Sequence, residues 1–282
     1  MRANEIGPER VWAMGLVTGF RTLRKEPILG LKRLVLPVGY WRAAEFAYVF
    51  RRLRQYAPGS RILDLGSPKD LAAMLARYRG HHVVATDIMP EAVDLSRRYA
   101  RAQGIDGTGP GRVASEVQDG RDLRYPDDSF DAAYSVSVLE HIPDRGDTMA
   151  VWELLRVLKP GGDLVGTVPY AARHYDSFVD HDVYERKHMG SRPIFFERHY
   201  DDESLEVRLF APAGENLIDL ELWGEGTVRM EALLQRLGPV RTLLSPAEPL
   251  LSIAFLRRVR SGRSDNPMAA FFTLQKPAPG SA

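Results

Sequence analysis

The sequence predicts an α/β fold, with a doubly wound, mostly parallel seven-stranded sheet behind an N-terminal helical cap. Three observations predict it. From residue 60 onward, short apolar runs alternate with helical patterns, the rhythm of a parallel sheet with right-handed crossovers. The first three runs close on acidic residues, Asp64, Asp87 and Asp119. Before residue 59 the rhythm is different: apolar groups recur at helical spacing among many basic residues.

In order, residues 8–25 and 41–56 have helical periodicity, punctuated by Pro37, Gly39 and Pro58-Gly59. They define a cap over residues 1–58. "RILDL" (61–65) is a short apolar run ending in a turn, consistent with a buried strand. Residues 69–79 then read as a helix. "HHVVATD" is the second strand, followed by a helix with Pro90 near its start. "RVASEVQD" is the third strand and "FDAAYSV" the fourth, followed by a helix through "RGDTMAVWELLRVLK". Pro160-Gly161-Gly162 turns into the fifth strand, "DLVGTVP". Residues 170–215 are polar, rich in Tyr, His and Asp, and weakly periodic. "NLIDLELWGE" is a sixth strand, helices follow at 228–237 and 246–259, and "MAAFFTLQK" is the last strand.

Composition narrows the function. With 44% hydrophobic and 27% charged residues, this is an ordinary globular chain. The absence of cysteine excludes disulfides, thiolate metal sites and a Cys nucleophile. A net charge of +1 gives no case for nucleic acid as a partner. No apolar run is long enough to span a membrane, and the first residues do not begin a secretory signal, so a cytoplasmic enzyme is expected. The basic, amphipathic N-terminal stretch suits a membrane surface, its own domain or a second copy in a homodimer. Packing on its own domain is the expectation.

In open α/β sheets, ligands bind beyond the carboxyl ends of the strands, where strand order reverses. The first such turn here is Asp64 to Asp70. Gly66 permits close approach of the backbone. Ser67-Pro68 reads as a helix start, with Ser67 capping and Pro68 at the first helical position. A dinucleotide needs several free amides around its phosphates, and this turn has a proline and two aspartates instead. A ligand with an amine and a sulfonium, and no phosphate, avoids the conflict. Asp64 suits its ammonium, Asp87 its ribose and Asp119 an adenine amino group.

The chain resembles the class I S-adenosylmethionine-dependent methyltransferases, with a Rossmann-like domain over residues 59–282 and an acceptor-site insertion near 170–215. The resemblance lies closest to the small-molecule "type 11" branch. It rests on "ILDLGS", "VVATDI", "VQDGRDLRYPDDSFDAAYSVSVLEHIPD" and "LLRVLKPGGDLVGTVP" in order. It implies S-adenosylmethionine as cofactor and S-adenosylhomocysteine as product. Asp64, Gly66 and Ser67 would border the methionine part, Asp87 the ribose, and Ile88 and Met89 the adenine face. Asp119, Gly120 and Arg121 would take the adenine edge, and Ser135 the methyl-transfer mouth. Ser67-Pro68-Lys69 departs from the family, which has a further glycine there. Arg42, assisted by Tyr40, is the candidate that replaces the lost amides toward the methionine carboxylate, if the cap folds over the site; Lys69 is a second.

The expected reaction is in-line methyl transfer to an O or N atom of a small molecule. Candidates for acid–base work are His141, Tyr170 and the "DHDVYE" cluster with His181 and Asp182. No resident metal is expected. The alternative is a cofactor-binding protein that does not methylate, either cyclase-like or a silent partner subunit.

Overall fold

In the computed structural model, residues 6–109, 111–180, 193–214, 216–225, 229–260 and 266–278 are described. Three helices lead: α1 (Pro8–Leu23), α2 (Pro27–Val35) and α3 (Tyr40–Arg52). Then come β1 (Arg61–Leu65), α4 (Lys69–Arg79), β2 (His82–Asp87), α5 (Pro90–Gln103), β3 (Arg112–Val117) and β4 (Phe130–Val136). α6 (Gly146–Val157), β5 (Leu158–Pro169), β6 (Tyr175–Val179), β7 (Ile194–His199), α7 (Asp202–Leu205) and β8 (Leu217–Gly224) follow. The chain continues through α8 (Met230–Arg236), α9 (Arg241–Leu244), α10 (Glu248–Phe255), β9 (Arg257–Val259) and β10 (Pro267–Gln275). α1, α2 and α5 each start with proline at a first-turn position, where its fixed φ suits the helix and its missing N–H costs nothing.

The main sheet has the order β3-β2-β1-β4-β5-β10-β8-β9. β3 through β5 pair in parallel, and β10, β8 and β9 are antiparallel. The order reverses between β1 and β4, which sets the ligand end of the sheet at their carboxyl tips. β1 beyond Arg61 and nearly all of β4 are buried, as strands covered on both faces must be. One face packs against α1, α3 and α4 through Val11, Phe46, Val49, Phe50 and Leu75. The other packs against α6 and residues 205–213 through Leu154, Leu205, Leu209 and Phe210. The cap therefore shares a core with the sheet, and α1 buries Val11, Met14, Thr18 and Thr22 against it.

Several elements differ from the sequence expectation. The sheet gains an eighth strand, β9, where a helix through residue 259 was expected. α10 ends at Phe255, Leu256 turns extended, and Arg257–Val259 pair with β8; an edge pairing overrides local propensity. Pro27 begins a separate helix, α2, that the periodicity did not resolve. β3 stops at Val117, so Asp119 lies beyond the strand. β5 runs back through Pro160-Gly161-Gly162, read in sequence as a turn. Within 170–215, β6 and β7 form an antiparallel pair whose register shifts between Ser177 and Phe178, which breaks the period-2 signal.

That pair is held against α6 by a buried charge network. Arg198, almost wholly buried, donates to Asp147 Oδ2 at 2.8 Å and to Asp176 Oδ1 at 3.0 Å. The Tyr200 hydroxyl and Arg208 also donate to Asp147. Asp147 lies in the first turn of α6, where the helix dipole favours an anion.

Candidate active site

The turn after β1 spends all of its amides internally. Gly66 N–H donates to Thr86 O at 2.8 Å, Ser67 N–H donates to Asp64 Oδ1 at 3.1 Å, and Pro68 has none. Ser67 does not cap α4, as the sequence suggested. Pro68 occupies the N-cap position, so the helix starts one residue later, and Ser67 Oγ instead accepts from Val136 N–H at 2.9 Å, tying β1 to β4. Gly66 has φ +69°, and a Cβ there would stand 2.8 Å from Val138 Cγ1. The close approach that this glycine permits is made by Val138. No amide of residues 66–68 remains for a phosphate, so the turn does not fit a dinucleotide.

Asp64 is wholly buried, and its Oδ2 has no hydrogen-bond partner. The Tyr134 hydroxyl lies beside it, outside hydrogen-bond geometry. Burial pushes the Asp64 carboxyl up to about 6, partly offset by the positive charge of Lys69 and the Ser67 hydrogen bond. Asp87 is in a different state. Its Oδ2 takes Lys69 Nζ at 2.6 Å and its Oδ1 accepts from Met89 N–H at 2.9 Å. Lys69, the second candidate for the cofactor carboxylate, is thus bound to the predicted ribose ligand. Asp119 is gripped by its neighbour: Arg121 Nε and Nη2 donate to it at 3.0 and 2.7 Å, holding its carboxyl below the usual range. The three acids stand at neighbouring tips. Gln118 N–H donates to Asp87 O, and a Cβ on Gly120 would lie 2.8 Å from Leu65 Cδ1. Ile88 is exposed beside them and Met89 is half-buried.

A cavity of about 380 Å³ opens at the tips of β4 and β5, roofed by α3. Tyr40, Trp41, Arg42 and Glu45 line it from the cap; Ser137, Glu140 and His141 line it from the segment after β4. Glu197, Glu231 and Arg241 complete its polar wall. Arg42 Nη1 donates to Glu45 Oε2 at 2.6 Å and to Ser137 Oγ at 2.7 Å. Glu45 Oε1 in turn accepts from Ser137 and Thr167. The cap therefore does carry Arg42 over the sheet, and Tyr40 joins it with its N–H held by Glu248. A larger depression of about 630 Å³ lies at the amino ends of β2 and β3, beside Arg21, Arg77 and Gly111. It is at the wrong end of a parallel sheet for cofactor chemistry.

His141 lines the cavity, donating from Nδ1 to Phe196 O at 2.8 Å, with Nε2 3.9 Å from Glu140 Oε1. Two expected residues lie elsewhere. Ser135 is buried within β4 and donates to Leu65 O; Ser137, just past the strand's end with φ +51°, lines the cavity. Tyr170 is buried, with its hydroxyl on Asp202 Oδ1 at 2.8 Å, because it pairs with Tyr200 rather than facing the tips. His181 and Asp182 lie outside the described residues. None of Asp64, Asp87 and Asp119 lines the cavity itself. Among the described residues no group of His, Asp and Glu is arranged to hold a metal ion.

Sequence reasoning missed Glu140. It is buried, lines the cavity, and its Oε2 has no partner. Burial, with Glu45 and Glu197 nearby, drives its carboxyl well above the usual range. The signal was present, since Glu140 is a lone acid in the apolar run "VSVLEHI". Glu45 was signalled only by its spacing of three from Arg42.

A parallel sheet with acids at its switch point is the arrangement in which open α/β folds bind ligands. Residues 63–166 match the family model described as "Methyltransferase domain". Methyltransferase GfsG of Streptomyces halstedii is 35% identical over 107 residues, covering 38% of this chain and 36% of that protein. Demethylmenaquinone methyltransferase of Clavibacter sepedonicus is 37% identical over 136 residues, covering 45% of this chain and 51% of that protein. The matched stretch thus spans about half or less of these relatives' length. Among solved structures, a methyltransferase from Methanosarcina mazei shares the fold, with TM-score 0.52, 18% identity, and 80% and 97% of the two chains covered. Over residues 63–166 the chain is thus similar to the methyltransferase-domain family, and its fold is that of the solved methyltransferases.

The residues present fit S-adenosylmethionine at its cationic and hydroxyl groups. Asp64 offers an uncompensated carboxylate oxygen, and each oxygen of Asp87 retains a lone pair beyond its present donor.

Proposed function

We propose that this protein transfers a methyl group from S-adenosylmethionine to an O or N atom of a small molecule. The observation that carries the proposal is Glu140, a buried carboxylate with an unpartnered oxygen in the cavity wall, together with Asp64, likewise unpartnered and buried at the tip of β1. Buried carboxylates without counter-charge are costly, and a ligand with ammonium and sulfonium groups relieves that cost. The cofactor supplies the electrophilic methyl group. In this reading Asp64 holds its ammonium, Asp87 its ribose hydroxyls and Arg42 its carboxylate. The cap excludes water, and the cavity walls orient the acceptor opposite the sulfur, where proximity alone supplies several kcal/mol of the barrier. His141, in the cavity wall with its Nδ1 held on Phe196 O, is the candidate proton acceptor. Demethylmenaquinone methyltransferase acts, by its name, on a small molecule, and that supports a small-molecule acceptor here.

Titration calorimetry with S-adenosylmethionine and S-adenosylhomocysteine tests the cofactor assignment. Incubation of methyl-labelled cofactor with a metabolite extract tests transfer. Binding without any labelled product would convert the reading to a non-methylating cofactor protein, and no binding would end it.

A further inference from the structure

Half of the exposed large apolar residues gather on one part of the surface. Of 22 such residues among those described, eleven belong to residues 6–36 and 229–256, which together make about a quarter of the described chain. Ile28 and Leu31, 74% and 58% exposed, sit three apart on α2, with Phe20 (60%) at the end of α1. Leu243 on α9 is 80% exposed, and Leu250 and Ile253 sit three apart on α10. The two segments are neighbours: Ser245 Oγ donates to Val35 O at 2.6 Å, and Glu248 joins Arg241 to the N–H of Tyr40.

The charges within this surface are of one sign. In residues 6–36 the exposed charged side chains are Arg10, Arg21, Arg24, Lys25 and Lys32. In residues 229–256 they are Arg229 and Arg236; Arg257 and Arg258 follow on β9, with Arg258 paired to Glu221. No Asp or Glu of either segment is exposed: Glu9 is half-buried, Glu26 is paired with Arg98, and Glu231 and Glu248 with Arg241. For a chain with a net charge of only +1, this is a strong local excess. Among the described residues no helix is long and apolar enough to cross a membrane.

We propose that this face, formed by α1, α2, α9 and α10, docks on the surface of an anionic lipid bilayer. Exposed Leu, Ile and Phe ringed by Lys and Arg are what an interfacial helix presents to headgroups and the acyl boundary. A second protein surface would have to bury an all-positive rim, and a second copy would bring like charge against like. The proposal departs from the sequence expectation that the basic N-terminal stretch only packs on its own domain. The inner side of α1 does pack there; the outer side, with α2, does not. Arg241 lies both on this helical segment and in the cavity wall. If the methyl-transfer reading holds, the docked face sets the cavity beside the lipid and favours a bilayer-dissolved acceptor.

Co-sedimentation of the full chain with vesicles tests this, using pure phosphatidylcholine against a 7:3 mixture with phosphatidylglycerol. Binding to the anionic vesicles should be at least tenfold tighter and should weaken severalfold in 0.5 M salt, because each surface basic residue is worth roughly fivefold. The double substitution I28Q/L31Q should cut binding about tenfold or more, and Lys32→Glu roughly fivefold or more. Circular dichroism and calorimetry with S-adenosylhomocysteine check that each variant is folded and binds cofactor as before, which separates failure of docking from failure of the methyltransferase reading. Should I28Q/L31Q not fold, Leu243→Gln carries the same readout. Equal binding to both vesicle types, no binding, or variants that bind like the parent would overturn the proposal. So would a concentration-dependent dimer that I28Q/L31Q dissolves, which would assign the face to a second copy.

Discussion

Asp64→Asn should make the protein more stable and a worse cofactor binder. Asp64 is wholly buried with one carboxylate oxygen unpartnered, and burial lifts its carboxyl from 3.8 to about 6. Because the folded value lies above the unfolded one, the folded state holds the proton more tightly. Its contribution is fully favourable below the unfolded value and is lost as pH rises through about 6. A shift of this size corresponds to about 3 kcal/mol against the ionised native state at neutral pH. Asparagine keeps the acceptor for Ser67 N–H but carries no charge, and its amide needs a partner, for which the Tyr134 hydroxyl lies near. The net gain should be about 1–3 kcal/mol at pH 7.5, a rise of roughly 3–8 °C in Tm, with about half of it remaining at pH 5. Calorimetry gives the other half of the prediction. In the parent, S-adenosylhomocysteine affinity should fall roughly tenfold from pH 7.5 to 5 as Asp64 takes up its proton. In Asp64→Asn affinity should be low and nearly flat with pH. A variant that is less stable at pH 7.5 and binds with the parent's affinity and pH slope would refute the assignment of Asp64 to the cofactor's ammonium.

Other outcomes follow from the same geometry. Asp87→Ala removes the ribose acceptor and strands Lys69, so S-adenosylhomocysteine affinity by calorimetry should drop roughly 10- to 100-fold, the loss of hydrogen bonds to a charged group. Arg42→Gln breaks the contact to Ser137 across the cavity and should weaken the same affinity roughly tenfold while lowering stability by no more than about 1 kcal/mol, read by thermal unfolding. Gly66→Ala places a Cβ 2.8 Å from Val138 Cγ1 at φ +69°; urea unfolding should show a loss of about 1–3 kcal/mol, and adding Val138→Ala should restore only the steric share. Asp147→Asn leaves Arg198 buried with Asp176 alone and should cost about 3 kcal/mol, with β6 and β7 becoming the first segment cut in limited proteolysis.

Much of the fold could be read locally. β1, β2, β4 and α4 fall where their apolar runs and turn residues put them, because buried parallel strands and capped helices write their bounds into a few adjacent residues. The strand-tip acids were legible for the same reason. β9 and the β6–β7 pair were not, since one depends on an edge supplied by β8 and the other carries a register shift that hides its alternation. Ser137 rather than Ser135 lines the cavity because β4 ends at Val136 and the chain turns there through a positive φ, which the apolar run does not signal. Glu140 escaped because one acid in an apolar run signals nothing until its surroundings are known.

The partners of the acids were the least legible part, and they divide the acids into two kinds. Asp87 and Asp119 each have a cation of their own, Lys69 and Arg121. With their charge already balanced, such carboxylates can accept from hydroxyls or an amino group at little electrostatic cost. Asp64 and Glu140 have no cation hydrogen-bonded to them and are pushed toward the protonated form. A positively charged ligand changes the state of these two and hardly affects the first two. The unpaired acids should therefore control how strongly pH gates cofactor binding, while the paired acids should control which hydroxyl and amino pattern is accepted. The Ser67-Pro68-Lys69 sequence in the turn after β1 then has a physical role: Pro68 removes a backbone amide from the ligand's reach, and Lys69 gives the ribose acceptor Asp87 a cation of its own.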